Sequence, residues 1–86
     1  MEYNPRLKAA VIQVVENQIR SDDPPETRQT MDRLISEGFS KKEAKELIGT
    51  VVVAEVWDVL KEGKPFNLKR FIKALDNLPE LPYSQE

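Results

Sequence analysis

Apolar residues recur at intervals of three and four along most of this chain, and the pattern is interrupted by prolines and glycines. These intervals place the apolar side chains on one side of an α-helix. The interruptions fall at Pro24-Pro25, at Gly38 and at Gly63 with Pro65. The pattern therefore predicts four helices, over residues 5–20, 24–37, 41–62 and 68–78.

Three of these helices carry a single apolar stripe, which we expect to face a common core. The stripes consist of Leu7, Val11, Val14, Val15 and Ile19 in the first helix, of Thr27, Met31, Leu34 and Ile35 in the second, and of Leu68, Phe71, Ile72, Leu75 and Leu78 in the fourth.

The residues at the predicted helix ends are of the types that start and stop helices. Ser40 and Glu43 form the pattern of a capping box, in which each side chain binds the backbone N–H of the other residue. Asn4 and Asp23 are expected to cap the first two helices. Gly38 is expected to end the second helix with a positive φ, which glycine adopts without steric cost.

These signals predict an all-α fold, a compact bundle of about four helices. Val51, Val52 and Val53 are β-branched residues, which are common in strands. Because the segments on both sides of them have a helical pattern, we assign them to the third helix. We expect a single helical domain over residues 1–79. Pro79 and Pro82 end regular structure, which predicts a flexible C-terminal tail over residues 80–86.

The predicted third helix is apolar on two opposite sides. One side holds Ala44, Leu47, Ile48, Val51 and Ala54, and the other holds Val53, Val56, Trp57 and Leu60. A helix of this kind is buried on more than one side. The side with Trp57 is either covered by the other helices of the chain or meets a second subunit or another partner, and the sequence leaves both interpretations open.

Two acidic residues, Glu55 and Asp58, lie on the first apolar side of this helix. A carboxylate among apolar side chains must be paired, hydrogen-bonded or protonated. One interpretation is a structural ion pair with a basic residue of another helix, such as Arg6, Arg28 or Arg33, or exposure at the helix end. The other is a pair of acids with altered pKa values, or an anchor that orients a ligand.

The composition argues against catalysis. The chain has 86 residues, with no cysteine and no histidine, so it lacks a thiolate nucleophile, the commonest metal ligand and the usual general base at neutral pH. No glycine-rich phosphate-binding motif is present. We therefore expect no enzyme activity, no cofactor and no bound metal.

Charge and hydropathy also narrow the class of protein. The formal net charge is −2, which argues against a dominant nucleic-acid function. No apolar run approaches the 18 or so residues of a membrane-spanning helix, and no signal peptide opens the sequence. We expect a cytoplasmic protein that does not enter a membrane.

One segment is basic against this acidic background. Residues 63–76 contain Lys64, Lys69, Arg70 and Lys73 against a single acid, Asp76. These four bases, called the basic patch below, could contact RNA or another acidic partner, or they could simply form a solvated helix face. Residues 31–48 also have the layout of a helix-turn-helix, but the second helix begins with nearly balanced charges, which favours a plain helical corner.

The order of motifs resembles a small, uncharacterised bacterial all-α domain family of unknown function. The matching pieces are Asn4-Pro5-Arg6-Leu7, Glu16-Asn17-Gln18-Ile19, Asp23-Pro24-Pro25-Glu26-Thr27, Arg33-Leu34, Gly38-Phe39-Ser40, Glu43-Ala44, Glu55-Val56-Trp57 and residues 75–79. The resemblance implies an all-α fold without a known activity. Related sequences often carry histidines near Lys8, Lys42 and Lys45. Because lysines stand there in this chain, a metal site of that kind is not implied here.

The sequence as a whole predicts a non-catalytic protein-interaction or assembly module. Its partner would be another protein or a second copy of the chain, in which case a homodimer would form through the side with Val53, Trp57 and Leu60. Glu55 and Asp58 would then act as orienting charges at this interface. The alternative is a nucleic-acid-associated regulator that uses the basic patch.

Overall fold

A computed structural model describes residues 5–82 of the chain. Over these residues the fold is all-α, as predicted. The four helices are α1 (Pro5–Ser21), α2 (Pro25–Ser36), α3 (Lys41–Glu62) and α4 (Leu68–Asn77). Each boundary lies within one residue of its predicted position. Asn4, predicted to cap α1, lies outside the described residues, as do residues 83–86 of the predicted tail.

Local signals account for the start and end of α3. The Ser40 hydroxyl oxygen accepts the Glu43 N–H at 3.0 Å, and the Glu43 carboxylate accepts the Ser40 N–H at 2.8 Å. This capping box satisfies two of the backbone donors that every helix N-terminus leaves unpaired. Gly63 then ends the helix with a φ of 65°, and its N–H donates to the Val59 carbonyl at 2.9 Å. Gly38 after α2 also has a positive φ, as predicted.

The predicted cap of α2 is wrong. Pro24, not Asp23, occupies the N-cap position, and no side chain caps the helix. The Asp23 N–H instead donates to the Gln18 carbonyl at 3.1 Å, which continues the end of α1. Pro24 and Pro25 have no N–H to satisfy, so this start leaves fewer unpaired donors than most helix starts do.

All four helices contribute to one apolar core. Its buried members are Val15, Met31, Leu34, Ala44, Ile48, Val51, Val52, Phe71, Leu75 and Leu78. Fully burying one side chain of this size contributes about 1.5–3 kcal/mol relative to leaving it in water. Thr27 is buried at the edge of this core, and its hydroxyl donates to Gln18 Oε1 at 2.9 Å, which joins α2 to α1.

Some residues of the predicted stripes lie outside this core. Leu7, Val14, Ile35 and Leu68 are exposed, although the periodicity predicted that they would be buried. Leu7 and Leu68 lie at the N-terminal ends of α1 and α4, and Val14 and Ile35 lie at the sides of their stripes, so the neighbouring helices do not bury them. Of the predicted tail, Leu81 and Pro82 are half-buried, and the Glu80 N–H donates to the Asn77 carbonyl at 3.0 Å.

Helix α1 packs closely against α3 at Gly49. A Cβ atom at this position would lie 3.1 Å from Cγ1 of Val11 and 3.9 Å from Cδ1 of Ile12. A separation of 3.1 Å is tighter than an ordinary carbon–carbon contact of about 3.5–4.0 Å. The absence of a side chain at Gly49 therefore allows α1 to pack closely against the middle of α3.

Candidate interaction surface

Four large apolar side chains on the C-terminal half of α3 are exposed. Val53 is 42% exposed, Val56 52%, Trp57 63% and Leu60 74%. Their spacing of three and four residues places them along one side of the helix, so we call this set the α3 stripe. Within residues 5–82, the other helices do not cover these four side chains, as one of the two interpretations of this side required.

The α3 stripe continues the side of α3 that α1 covers. Val53 follows Gly49 by four residues, so the two lie on the same side of the helix, one turn apart. At Gly49 the side chain of Val11 covers this side. From Val53 to Leu60 the apolar side chains on this side are exposed within residues 5–82. This side of α3 is therefore covered at Gly49 and exposed at the four residues of the α3 stripe.

An apolar groove lies beside the α3 stripe. Its volume is about 290 Å³, and it is lined by Val14, Gln18, Val52, Glu55, Val56, Val59, Leu60, Phe66 and Phe71. Val56 and Leu60 belong to both the groove and the stripe. Val14 from α1 and Phe66 from the segment before α4 extend the apolar surface across the groove, and both are exposed.

The polar groups in the wall of this groove already have partners. Gln18 Oε1 accepts a hydrogen bond from the Thr27 hydroxyl, and the Glu55 carboxylate accepts one from Arg70 Nε of α4. The groove therefore offers apolar contacts and no unpaired charge.

Glu55 connects α3 to the start of α4. Its two carboxylate oxygens accept hydrogen bonds from Nε and Nη2 of Arg70 at 3.0 and 2.9 Å, which is the bidentate geometry of the stronger ion pairs. One of these oxygens also accepts the backbone N–H of Asn67 at 3.1 Å. Asn67 is the N-cap of α4, and its side chain accepts the Arg70 N–H at 3.0 Å. Glu55 is only 5% exposed, so this arrangement satisfies a carboxylate that would otherwise be costly to bury.

Glu55 forms an ion pair with an arginine of another helix, as one interpretation predicted. The arginine is Arg70, however, and none of the three arginines that the sequence suggested. Arg33 binds Glu37 and the Leu75 carbonyl instead, each at 3.0 Å. Neither Arg6 nor Arg28 forms the pair with Glu55, because α4 packs along this part of α3 and brings Arg70 to it. Asp58 lies one turn further along, with Oδ2 at 3.9 Å from Arg70 Nε.

These contacts decide the protonation of Glu55. The hydrogen bonds from Arg70 hold the pKa of the Glu55 carboxyl below its ordinary value, although burial alone would raise that pKa. The Asn67 N–H and the positive charge of Arg70 act in the same direction as the Arg70 hydrogen bonds. A group that exchanges protons near neutral pH needs the opposite shift, so the structural interpretation of Glu55 has the better support.

The lowered pKa predicts how stability depends on pH. Between the pKa of the folded state and the ordinary value of 4.5, the unfolded chain binds a proton at Glu55 that the folded chain does not bind. The contribution of Glu55 is therefore complete above pH 4.5 and is lost as the pH falls through the lower, folded-state pKa. We expect the free energy of unfolding to fall more steeply with acidification in the natural chain than in Glu55→Gln.

Urea titrations of both chains between pH 3 and pH 7 would measure this difference. Glu16 and Glu46 also have lowered pKa values, because of Lys45 and Lys8 respectively, and they are present in both chains. Their contributions cancel in the comparison. Parallel curves for the two chains would show that the pair does not hold the pKa of Glu55 down.

The basic patch is partly neutralised by acids of α3. Arg70 is bound to Glu55, and Lys64 Nζ lies 3.6 Å from Glu62 Oε1. Among residues 5–82, the ion pairs include neither Lys69 nor Lys73. The sequence predicted four basic residues for contact with a nucleic acid. Two of them, Lys69 and Lys73 on the ten-residue helix α4, lie outside these ion pairs.

A second cavity of about 230 Å³ lies between α3 and α4, on the other side of the Glu55–Arg70 pair. It is lined by Val51, Ala54, Glu55, Asp58, Arg70, Lys73, Ala74, Asn77 and Pro82. The lining includes two acids, Glu55 and Asp58, and two bases, Arg70 and Lys73. Within the part of the chain that the structure describes, no three acidic side chains come together as a metal site requires.

Two residues of the apolar surface were not identified from the sequence. The periodicity predicts a core position for Val14 because it fits the stripe of α1, and it predicts no place in this surface for Phe66. No sequence pattern relates these two positions to Val56, because only the packing of α1 and α4 against α3 brings them to one groove.

The fold and this surface define a four-helix, all-α domain with one apolar side left uncovered. The chain matches no protein-family model, no curated protein and no solved structure. The resemblance to a bacterial domain family therefore stays a prediction. No helix within residues 5–82 combines the length and the hydrophobicity needed to span a bilayer.

Proposed function

We propose that this chain is a non-catalytic protein-interaction or assembly module, and that the α3 stripe with its groove is the binding surface. The observation that carries this proposal is the exposure of Val53, Val56, Trp57 and Leu60 along one side of a single helix. Isolated apolar side chains are common on protein surfaces, but a continuous set of this size is typical of an interface.

The type of residue supports the same proposal. Tryptophan contributes most often to the few contacts that dominate binding energy, and its neighbours in such contacts exclude water. Trp57 lies in the middle of the stripe, with Val53 and Leu60 about one turn away on either side. An interaction module also needs no pocket of the kind that holds a reacting substrate. The predicted cytoplasmic location belongs to this proposal as well.

Site-specific photo-crosslinking would test the proposal. A photoreactive amino acid is placed at position 60 of the full chain, in cells that carry the native gene, and a second chain carries it at Ile35. Ile35 is an exposed apolar residue of α2 that does not line the groove, so it is a matched control. We expect adducts from position 60, either with another protein or with a second copy, and few from position 35.

Salt dependence separates this proposal from the nucleic-acid alternative. Apolar contacts change little between about 0.05 and 0.5 M salt, whereas phosphate contacts weaken steeply over that range. We therefore expect the adduct yield from position 60 to survive high salt in extracts prepared before irradiation. If position 60 gives no adducts at low salt and none at high salt, the proposed function is wrong.

A further inference from the structure

Trp57 lies beside the apolar groove but does not contribute to it. The residue follows Val56, which lines the groove, and each step along a helix turns the side chain by about 100°. The indole of Trp57 therefore leaves α3 in a different direction and is 63% exposed. The groove and the Trp57 side chain therefore lie next to each other, and Trp57 does not occupy the groove of its own chain.

The groove has the size and the chemistry to hold an aromatic ring. A protein cavity of about 150 Å³ lined by apolar side chains accepts a benzene molecule. The groove is larger, at about 290 Å³, and its walls are mostly valine, leucine and phenylalanine side chains. Because Gln18 and Glu55 already have hydrogen-bonding partners, the groove contains no free charge that would recognise a charged ligand.

We propose that a second copy of this chain covers the surface, with Trp57 of each copy inserted into the apolar groove of the other. A two-fold symmetric dimer requires a surface that is complementary to itself, so that a residue and the site it fills both lie on the same face. Trp57 and the groove satisfy this requirement. The inference rests on the proposed function, because it names the partner of the same surface.

The exposed area is large enough for such a dimer. The exposed fractions of Val14, Val53, Val56, Trp57, Leu60 and Phe66 correspond to about 600 Å² of surface, which is the upper end of the largest apolar patch on a typical monomer. Covering this surface on two copies would bury about 1,200 Å², the lower end of the range for stable interfaces.

Trp57 supplies its own spectroscopic probe, because it is the one tryptophan of the chain. Sedimentation equilibrium over a wide range of protein concentration would give the association state, and tryptophan emission would be recorded on the same samples. We expect the emission maximum to move to shorter wavelength, and quenching by acrylamide to decrease, over the same concentrations at which the dimer forms.

The groove is tested without changing Trp57. Val14→Lys places a charge in the groove wall, on α1 rather than on α3, and Ile35→Lys is the control, because the two residues are 41% and 42% exposed. We expect Val14→Lys to weaken the dimer by about tenfold or more and to leave Trp57 exposed at concentrations where the natural chain buries it. Ile35→Lys should change neither property. If Val14→Lys fails to fold, Leu60→Lys replaces it, since Leu60 lines the same groove and is the most exposed of the stripe.

Two results would overturn the inference. One is a chain that stays monomeric up to millimolar concentration, and the other is a dimer in which Trp57 stays exposed or which Val14→Lys leaves unchanged. A monomer whose position 60 crosslinks to a different protein would leave the proposed function standing and refute only the second copy. A monomer without crosslinks would refute both.

Discussion

Phe71→Ala is expected to lower the free energy of unfolding by about 3–5 kcal/mol, the usual cost of removing a buried aromatic ring. Phe71 is only 1% exposed, and its ring lies 5.6 Å from that of Phe66, measured between centroids. Because small domains are typically stable by about 5–15 kcal/mol, this loss would remove much of the stability. Chemical denaturation followed by circular dichroism would measure it.

The matched control for this prediction is Trp57→Ala. It removes a larger ring from a position that is 63% exposed, so we expect the free energy of unfolding to change by about 0.5 kcal/mol or less. The measurement is made at a protein concentration low enough for the chain to be monomeric. Equal losses in the two variants would mean that Trp57 is packed within its own chain, which contradicts the exposed α3 stripe.

Glu55→Gln is expected to lower the free energy of unfolding by about 2 kcal/mol, and the melting temperature by about 10 °C. The amide can still accept the Asn67 N–H, but it loses the charge and one of the oxygens that bind Arg70. Breaking a fully buried ion pair costs more, about 3–5 kcal/mol. Here about a third of the Arg70 side chain is exposed, so water takes the place of part of the lost interaction.

Glu16→Gln is the control for this variant. Glu16 also forms a close ion pair, with Lys45 Nζ at 2.9 Å, but 43% of its side chain is exposed. Water and salt screen a pair at the surface, so we expect a change too small to shift the melting temperature by more than a few degrees. If both glutamine variants lost the same stability, burial and the link to the N-cap of α4 would not be what makes Glu55 important.

Glu55 also shows how far a site could be identified from the sequence. Glu55 was recognised as unusual because a carboxylate lay among apolar positions of α3. Its partner was not recognised, because Arg70 lies 15 residues further along the chain and follows the turn at Gly63. Nothing in the local pattern distinguishes Arg70 from the arginines of α1 and α2 as a partner.

Helix positions could be predicted from the sequence because local interactions decide them. The capping box at Ser40, the positive φ at Gly63 and the three- and four-residue periodicity each act within about one turn of the backbone. The core of α2 and α4 followed from the same periodicity, with Leu34, Phe71 and Leu75 all buried.

Only the tertiary structure decided which apolar residues stay exposed. The periodicity of α1 cannot tell Val15, which is buried, from Val14, which faces the groove, because both lie on its apolar side. The packing of α1 against α3, which is close at Gly49, decides between them, and within residues 5–82 it leaves Val53, Val56, Trp57 and Leu60 exposed. The sequence alone therefore determined which segments are helical and which sides of them are apolar, since backbone hydrogen bonds and helix periodicity are local. The exposed surface depends on where one helix crosses another, and this is set by contacts between residues that are far apart in the chain.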